Sequence, residues 1–233
     1  MKKMLFPGLL VAFLVTLGSC NSNNTSTTSK KVKLKTQIDS VSYALGVNVA
    51  SWAKTSGLDE IETDALVNGF QDVMDGKDVK ITNEKAQPII QAYMIAASKR
   101  KGEKNLEEAK KFLEENGKKE GVITTASGLQ YQVIKEGTGP QPTDTSTVTV
   151  NYHGTLIDGT VFDSSIDRGK PATFPLNGVI KGWTEGLQLM RVGSKYKFFI
   201  PPELAYGANP RPGGPIEPNM LLIFEIDLLS IGK

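Results

Sequence analysis

Residues 159–165 read GTVFDSS, residues 179–187 read VIKGWTEGL and residues 205–207 read AYG, all inside the stretch 151–224. In it Tyr152, Phe162, Asp163, Val179, Ile180, Trp183, Tyr206 and Phe224 stand among strand and turn signals. So many large aromatics beside a single carboxylate exceed what the core of an ordinary small domain needs. Working outward, residues 129–135 (LQYQVIK) alternate and residues 147–152 (TVTVNY) alternate strictly. Asp158 and Gly159 form a hairpin-turn dipeptide. Residues 195–200 and 221–229 supply further strands, the latter nearly all apolar. Residues 180–190 have helical spacing, with Trp183, Leu187 and Met190 on one face. The pattern predicts an α+β domain, a mostly antiparallel sheet wrapped on one short helix.

Upstream the character is helical. Ile38, Val41, Leu45, Val49 and Trp52 recur at steps of three and four, and Gly57 is a reasonable stop. Leu66, Phe70 and Val73 suggest a second short helix, with Thr63 as candidate cap and Gly76 closing it. A third helical segment runs from about Thr82 to Lys118, interrupted only weakly by Pro88 and Gly102. As one helix, residues 83–118 would reach about 54 Å. Its second half pairs Glu107 with Lys111, Glu114 with Lys118 and Glu115 with Lys119 in the favourable order, and offers only Leu106, Ala109, Phe112 and Leu113 as an apolar stripe. Such a segment is expected to be a solvent-bridging strut. Ile89, Ala92, Tyr93 and Ala96 could pack on the two short helices. Leu45, Trp52, Phe70 and Tyr93 still leave much apolar surface for about eighty residues, which dimerisation would bury. A compact monomeric three-helix unit is the alternative.

The first residues have a different purpose. Lys2 and Lys3 precede an apolar run over residues 5–17 that is too short to span a bilayer, which takes about 18 apolar residues. Small residues follow, the signature of a secretory signal peptide over 1–19. Leu17, Gly18, Ser19 and Cys20 resemble a bacterial lipobox, so Cys20 is expected to carry lipid. It is the only cysteine, so no intrachain disulfide supports the exported chain. Residues 20–36, rich in Asn, Ser, Thr and Lys, read as a flexible tether. Loss of residues 1–19 removes two lysines and no acid, taking the formal charge from +2 to 0. A neutral chain gives no electrostatic case for nucleic acid. The 22% charged and 39% hydrophobic composition places the rest among globular proteins.

In their order and spacing the quoted motifs resemble the binding pocket of the FKBP-type peptidyl-prolyl isomerases. Residues 121–233 are similar to a complete FKBP domain, and residues 37–120 resemble the helical dimerisation domain of the Mip/FkpA branch. The resemblance implies that Trp183 is the pocket floor and that Tyr152, Phe162, Val179 and Phe224 are its walls. It implies that the Ile180 amide and the Tyr206 hydroxyl bond substrate carbonyls. Asp163 would lie near the prolyl carbonyl and pair with Arg168. No cofactor or metal is implied. The partners implied are proline-containing unfolded or exported polypeptides and a second copy of the chain. The location implied is exported, with a periplasm-facing membrane anchor. Two departures from the family pattern stand out: Ala172 replaces a common aromatic and should open one wall, and the proline-rich loop over 208–219 is about one residue longer than in compact human-type relatives.

Other chemistries find little support in the residues. His153 is the sole histidine, so no set using two is possible, and a strand histidine is usually structural. Gly137, Thr138 and Gly139 are followed by Pro140 rather than by a phosphate-loop lysine. No carboxylate pair or CxxC spacing argues for hydrolysis or metal binding. Phe174, Phe198 and Phe199 read as core, and Asp163 could alternatively cap a turn with Ser164 and Ser165. Two functions remain: a folding isomerase, and a non-catalytic chaperone that holds clients.

Overall fold

The computed structural model describes residues 32–58, 60–211 and 213–232. The expected signal peptide, Cys20 and most of the expected tether therefore lie outside the described residues. Three helices come first: α1 (Gln37–Thr55), α2 (Thr63–Met74) and α3 (Asn83–Asn116). Seven strands and a fourth helix follow: β1 (Val122–Thr124), β2 (Gln130–Lys135), β3 (Thr147–Thr155), β4 (Val161–Ser164), β5 (Ala172–Pro175), α4 (Lys181–Gln188), β6 (Lys195–Ile200) and β7 (Leu222–Gly232). The sequence reading missed the short strands β1, β4 and β5, which are too brief to show a period. No described helix is long and apolar enough to cross a membrane.

Contacts divide the chain into two units, Met1–Ala44 and Leu45–Lys233. In the first, the start of α1 is built by a reciprocal cap. Asp39 Oδ2 accepts the amides of Thr36 and Lys35 at 2.9 and 3.0 Å, and Thr36 Oγ1 accepts the Asp39 amide at 3.1 Å.

The second unit carries the sheet. Its order is β1-β2-β6-β7-β3-β4, with β5 also paired to β3, and every pairing is antiparallel. Strand β3 alternates buried and half-buried along its whole length, as its sequence does, so Val148, Val150 and Tyr152 share one face. The hairpin to β4 turns at Asp158-Gly159, where Gly159 takes φ 86° and Asp158 Oδ1 accepts the Thr160 amide at 2.9 Å.

Helix α4 lies against β6 at a distance only glycine allows. A Cβ on Gly186 would meet the Phe198 ring at 2.6 Å, and one on Gly182 would meet Ile200 at 2.4 Å. This approach presses Trp183 and Leu187 into the same core as Leu222, Phe224, Ile226 and Leu228 of β7.

The near-continuous apolar run of β7 has its explanation on the other face. Ala109, Phe112 and Leu113 of α3 pack there on Phe199, Leu221 and Ile223, so the centre of the sheet is covered on both sides. Asn116 adds a buried hydrogen bond to Gln130 at 3.0 Å, and Gln130 returns one to the Leu113 carbonyl at 2.9 Å. The expectation of a solvent-bridging strut is thus corrected: the charged half of α3 is a cover for the sheet. Of its three expected ion pairs, Glu114–Lys118 closes at 2.9 Å, while Lys119 sits 5.7 Å from the Phe112 ring centre. Helix α3 itself runs unbroken through Pro88, about 51 Å for its 34 residues.

The helices before it build no comparable core. Helix α2 buries no residue, and Trp52, Phe70 and Tyr93 are 50%, 60% and 41% exposed. A compact three-helix unit is not what these residues form. Glu62 rather than Thr63 stands at the start of α2, with no side-chain cap bond.

The close approach of α4 yields a prediction against simple helix propensity. Gly186→Ala should lower stability by about 1–3 kcal/mol through overpacking on Phe198, although alanine is the better helix former by about 1 kcal/mol. Urea denaturation would show it as a lower midpoint at unchanged slope; a midpoint raised by the substitution would contradict the packing described.

Candidate functional site

A cavity of about 660 Å³ opens where β3, β4, β5, β7 and α4 bring their aromatics together. That volume suits a ligand the size of a few residues. Trp183 is the organising side chain. Tyr152, Phe174 and Phe224 meet it at ring-centre distances of 5.2, 5.6 and 5.1 Å and interplanar angles of 81°, 88° and 81°. Phe162 extends the array, edge-on to Phe224 at 5.2 Å. Edge-to-face pairs of this kind favour each other by about 0.5–1.5 kcal/mol beyond burial, so the rings hold one another in place. The Trp183 indole N–H is buried and has no partner among the described residues. An orphaned donor of this kind costs about 1–3 kcal/mol, which the packing of the large ring must outweigh.

Ile180 is placed by the end of the turn that precedes α4. It is the N-cap residue, extended at φ −61° and ψ 149°, and its carbonyl accepts the amides of Trp183 and Thr184 at 2.9 and 3.1 Å. Thr184 Oγ1 donates to the Leu176 carbonyl at 2.8 Å and locks the turn to the helix. The Ile180 amide lies outside the helix and finds no protein acceptor among the described residues. The Tyr206 hydroxyl across the cavity is likewise without a protein partner among them, on a side chain that is 45% exposed.

The one carboxylate is tied down. Tyr152 donates its hydroxyl to Asp163 Oδ2 at 2.5 Å, Arg168 donates to Asp163 Oδ1, and the other guanidinium nitrogen donates to the Tyr152 oxygen at 2.7 Å. The Arg168 guanidinium also lies 5.4 Å from the Tyr152 ring centre. Burial pushes the Asp163 carboxyl up, but the Tyr152 hydroxyl and the Arg168 guanidinium outweigh it and hold the group below the usual carboxylate range. Burial, together with the carboxylate it donates to, raises the Tyr152 phenol. Asp163 is therefore an anion and Tyr152 neutral across the neutral range.

The serines of the GTVFDSS motif, rather than Asp163, hold the backbone at this turn. Ser165 Oγ accepts the Tyr152 amide at 2.8 Å, and Ser164 Oγ accepts the Asp167 amide at 3.1 Å. His153 Nδ1 lies 3.1 Å from Ser164 Oγ, a structural contact on β3.

Tyr152, Phe162, Asp163, Val179, Ile180, Trp183, Tyr206 and Phe224 all line the cavity; Arg168 reaches it through Asp163 and Tyr152. Phe174, read as core, packs against the core as expected and also lines the cavity from β5. Its signal was slight: in a strand of four residues it reads like any alternating aromatic. Ala172, two residues before Phe174, packs against the core and contributes no side chain to the cavity lining. The remaining wall is Pro210, Arg211, Gly214, Pro215 and Ile216 of the proline-rich loop, which the sequence marked as unusual without assigning it to the cavity. No group of side chains suited to hold a metal occurs among the described residues.

Comparison with known proteins agrees with the geometry. A profile described as "FKBP-type peptidyl-prolyl cis-trans isomerase" matches residues 139–229, and one described as "Domain amino terminal to FKBP-type peptidyl-prolyl isomerase" matches residues 38–133. The chain is 44% identical to the "FKBP-type peptidyl-prolyl cis-trans isomerase FkpA" of Aeromonas hydrophila, over 87% of this chain and 80% of that one. It is 45% identical to the "Outer membrane protein MIP" of Legionella longbeachae, over 86% and 88%. The crystal structure of FkpA from Escherichia coli superposes with a TM-score of 0.66 at 38% identity, covering 85% of this chain and 98% of that one. From the helical N-terminal region through the antiparallel sheet, the chain belongs to the FKBP-type peptidyl-prolyl cis-trans isomerases, on the side of the family that includes Mip and FkpA.

Proposed function

We propose that the chain, as a peptidyl-prolyl cis-trans isomerase, speeds proline-limited folding of exported proteins by holding the half-rotated prolyl amide in the aromatic cup around Trp183. The observation that carries this is the pairing of an apolar, ring-lined floor with two donors, the Ile180 amide and the Tyr206 hydroxyl, that no protein group satisfies among the described residues. Rotation about the amide climbs a barrier of about 18–20 kcal/mol because the nitrogen lone pair leaves conjugation. The twisted amide has less charge separation than the planar one, so an apolar cup favours it relative to water. Trp183 is its floor; Tyr152, Phe162, Val179 and Phe224 are its walls. The two donors orient the carbonyls that flank the rotating bond. Asp163, kept anionic by the Tyr152 hydroxyl and Arg168, places a fixed charge near the prolyl carbonyl and anchors Tyr152 in the wall. No step transfers a proton or forms a covalent bond to the enzyme.

In this reading residues 121–233 are the isomerase domain and residues 37–120 a dimerisation domain. The exposed apolar side chains of α1 and α2, Trp52, Leu66, Phe70 and Val73 among them, support a second copy as their cover. The same side chains favour a second role, client holding by the helical arms, which leaves the kinetics of a short peptide untouched. Cys20 is proposed as the lipid attachment site of an exported, periplasm-facing lipoprotein. Acyl chains would supply about 0.8 kcal/mol of membrane affinity per buried methylene.

Tyr206→Phe should lower kcat/KM on a short Xaa-Pro peptide about three- to tenfold, the loss of one orienting hydrogen bond. In the same protease-coupled assay the wild-type rate should stay flat from about pH 6 to 8, since Asp163 is already charged there. Its depressed folded pKa keeps that contribution present above the unfolded value and loses it only as the pH falls through the folded one. Wild-type protein that leaves the slow kinetics unchanged would refute catalysis.

Light scattering on residues 20–233 should give twice the chain mass, and Phe70→Asp should shift it toward one; a single-chain mass at every concentration would rule out the dimer. Expression with a labelled fatty acid should tag the wild-type protein and leave Cys20→Ala unlabelled. Equal labelling of both would remove Cys20 as the anchor.

A further inference from the structure

The proline-rich loop that forms one wall of the cavity is held from behind by a single turn of α3. We infer that Gly102 and Asn105 of α3, with Asn219 at the base of the loop, are positioning residues that set this wall against the substrate. The inference rests on the isomerase reading of the cavity.

The loop closes on itself at its base, where the Asn219 amide donates to the Gly207 carbonyl at 2.8 Å. The described residues between Gly207 and Asn219 are therefore pinched at those two ends. Asn219 sits at φ 56°, a left-handed conformation that its short amide side chain tolerates and most side chains resist. The same side chain faces α3 and donates Nδ2 to the Gly102 carbonyl at 3.1 Å. The preceding residue is held too, for Asn105 Nδ2 donates to the Pro218 carbonyl at 2.9 Å. One residue earlier, Glu217 meets Lys101 Nζ at 2.9 Å. Three consecutive loop residues are thus engaged by positions 101, 102 and 105 of α3, within little more than one helical turn. Ile216, the next residue back, lines the cavity.

Gly102 makes the approach possible. A Cβ there would stand 3.1 Å from Pro218 Cβ and 3.2 Å from Asn219 Nδ2, tighter than such contacts normally are. Helix propensity gives no reason for a glycine at this point, where alanine would be preferred. The attachment of α3 to the sheet does not need these contacts either. Ala109, Phe112 and Leu113 supply that, further along the helix, by packing on Phe199, Leu221 and Ile223. What the turn at 101–105 constrains is the loop, and through the loop the wall that carries Pro210, Arg211 and Ile216. A loop fixed in this way loses less freedom when a peptide binds, which strengthens binding without touching the rotating bond.

Three variants of the full-length chain test this: Gly102→Leu, which wedges helix and loop apart; Asn105→Ala; and Asn219→Gly, which keeps the backbone conformation and removes the tie. On a short Xaa-Pro peptide each should raise KM about three- to tenfold while kcat stays within about twofold, the pattern of lost uniform binding. Amide hydrogen exchange in residues 207–219 should quicken by about tenfold or more, with the exchange of β3 and β7 unchanged. Values of KM and of loop exchange in Asn105→Ala and Asn219→Gly that match the parent would overturn the inference. Should Gly102→Leu fail to fold, those two variants decide the matter. Should the parent itself show no isomerase activity, the reading of the cavity falls, and loop exchange alone still decides whether α3 holds the loop.

Discussion

The edge-on contacts between Trp183 and its three neighbouring rings are the constraint on which the site depends. An indole in a core of this size would ordinarily be buried by whatever aliphatic side chains surround it. Here Tyr152, Phe174 and Phe224 meet it at steep angles from three different strands, and a cavity remains beside them. Each ring is fixed by its own strand: Tyr152 by the alternation of β3, Phe174 by the pairing of β5 to β3, Phe224 by the register of β7 between β3 and β6. Trp183 reaches them because α4 comes down onto β6 over Gly182 and Gly186. The fold in this sense holds four rings in edge-on contact with a cavity open beside them.

The polar groups of the site divide into those that are satisfied and those that are left free. Asp163, Tyr152 and Arg168 satisfy one another, which makes that corner rigid and leaves it no proton to give near neutral pH. The Ile180 amide and the Tyr206 hydroxyl, both on cavity-lining residues, have no protein partner among the described residues. A site so arranged suits a reaction whose transition state differs from its ground state in shape and dipole rather than in protonation.

Much of this was legible in the chain. The strict alternation of residues 147–152, the Asp158-Gly159 turn and the three spaced motifs pointed to the antiparallel sheet and to eight of the residues that line the cavity. What escaped the sequence depended on long-range packing. Phe174 looks like core in a short strand, and only the pairing of β5 with β3 turns it toward the cavity. The charged half of α3 looks solvated, and only the second apolar face of β7 shows why Ala109 and Phe112 are buried or half-buried. Gly102 looked like a weak point in a helix, whereas its lack of a side chain is what admits the loop at Pro218. Local periodicity cannot report contacts between residues more than a hundred positions apart.

The central claim, that the cup prefers the twisted amide to the planar one, can be met by a binding comparison. A prolyl peptide and its α-ketoamide analogue, whose two adjacent carbonyls stand nearly perpendicular, would be titrated into the protein by calorimetry. Binding of the analogue tighter by about tenfold or more is the result expected of differential stabilisation. Equal affinity for the two, with the peptide seated in the same cavity, would contradict it.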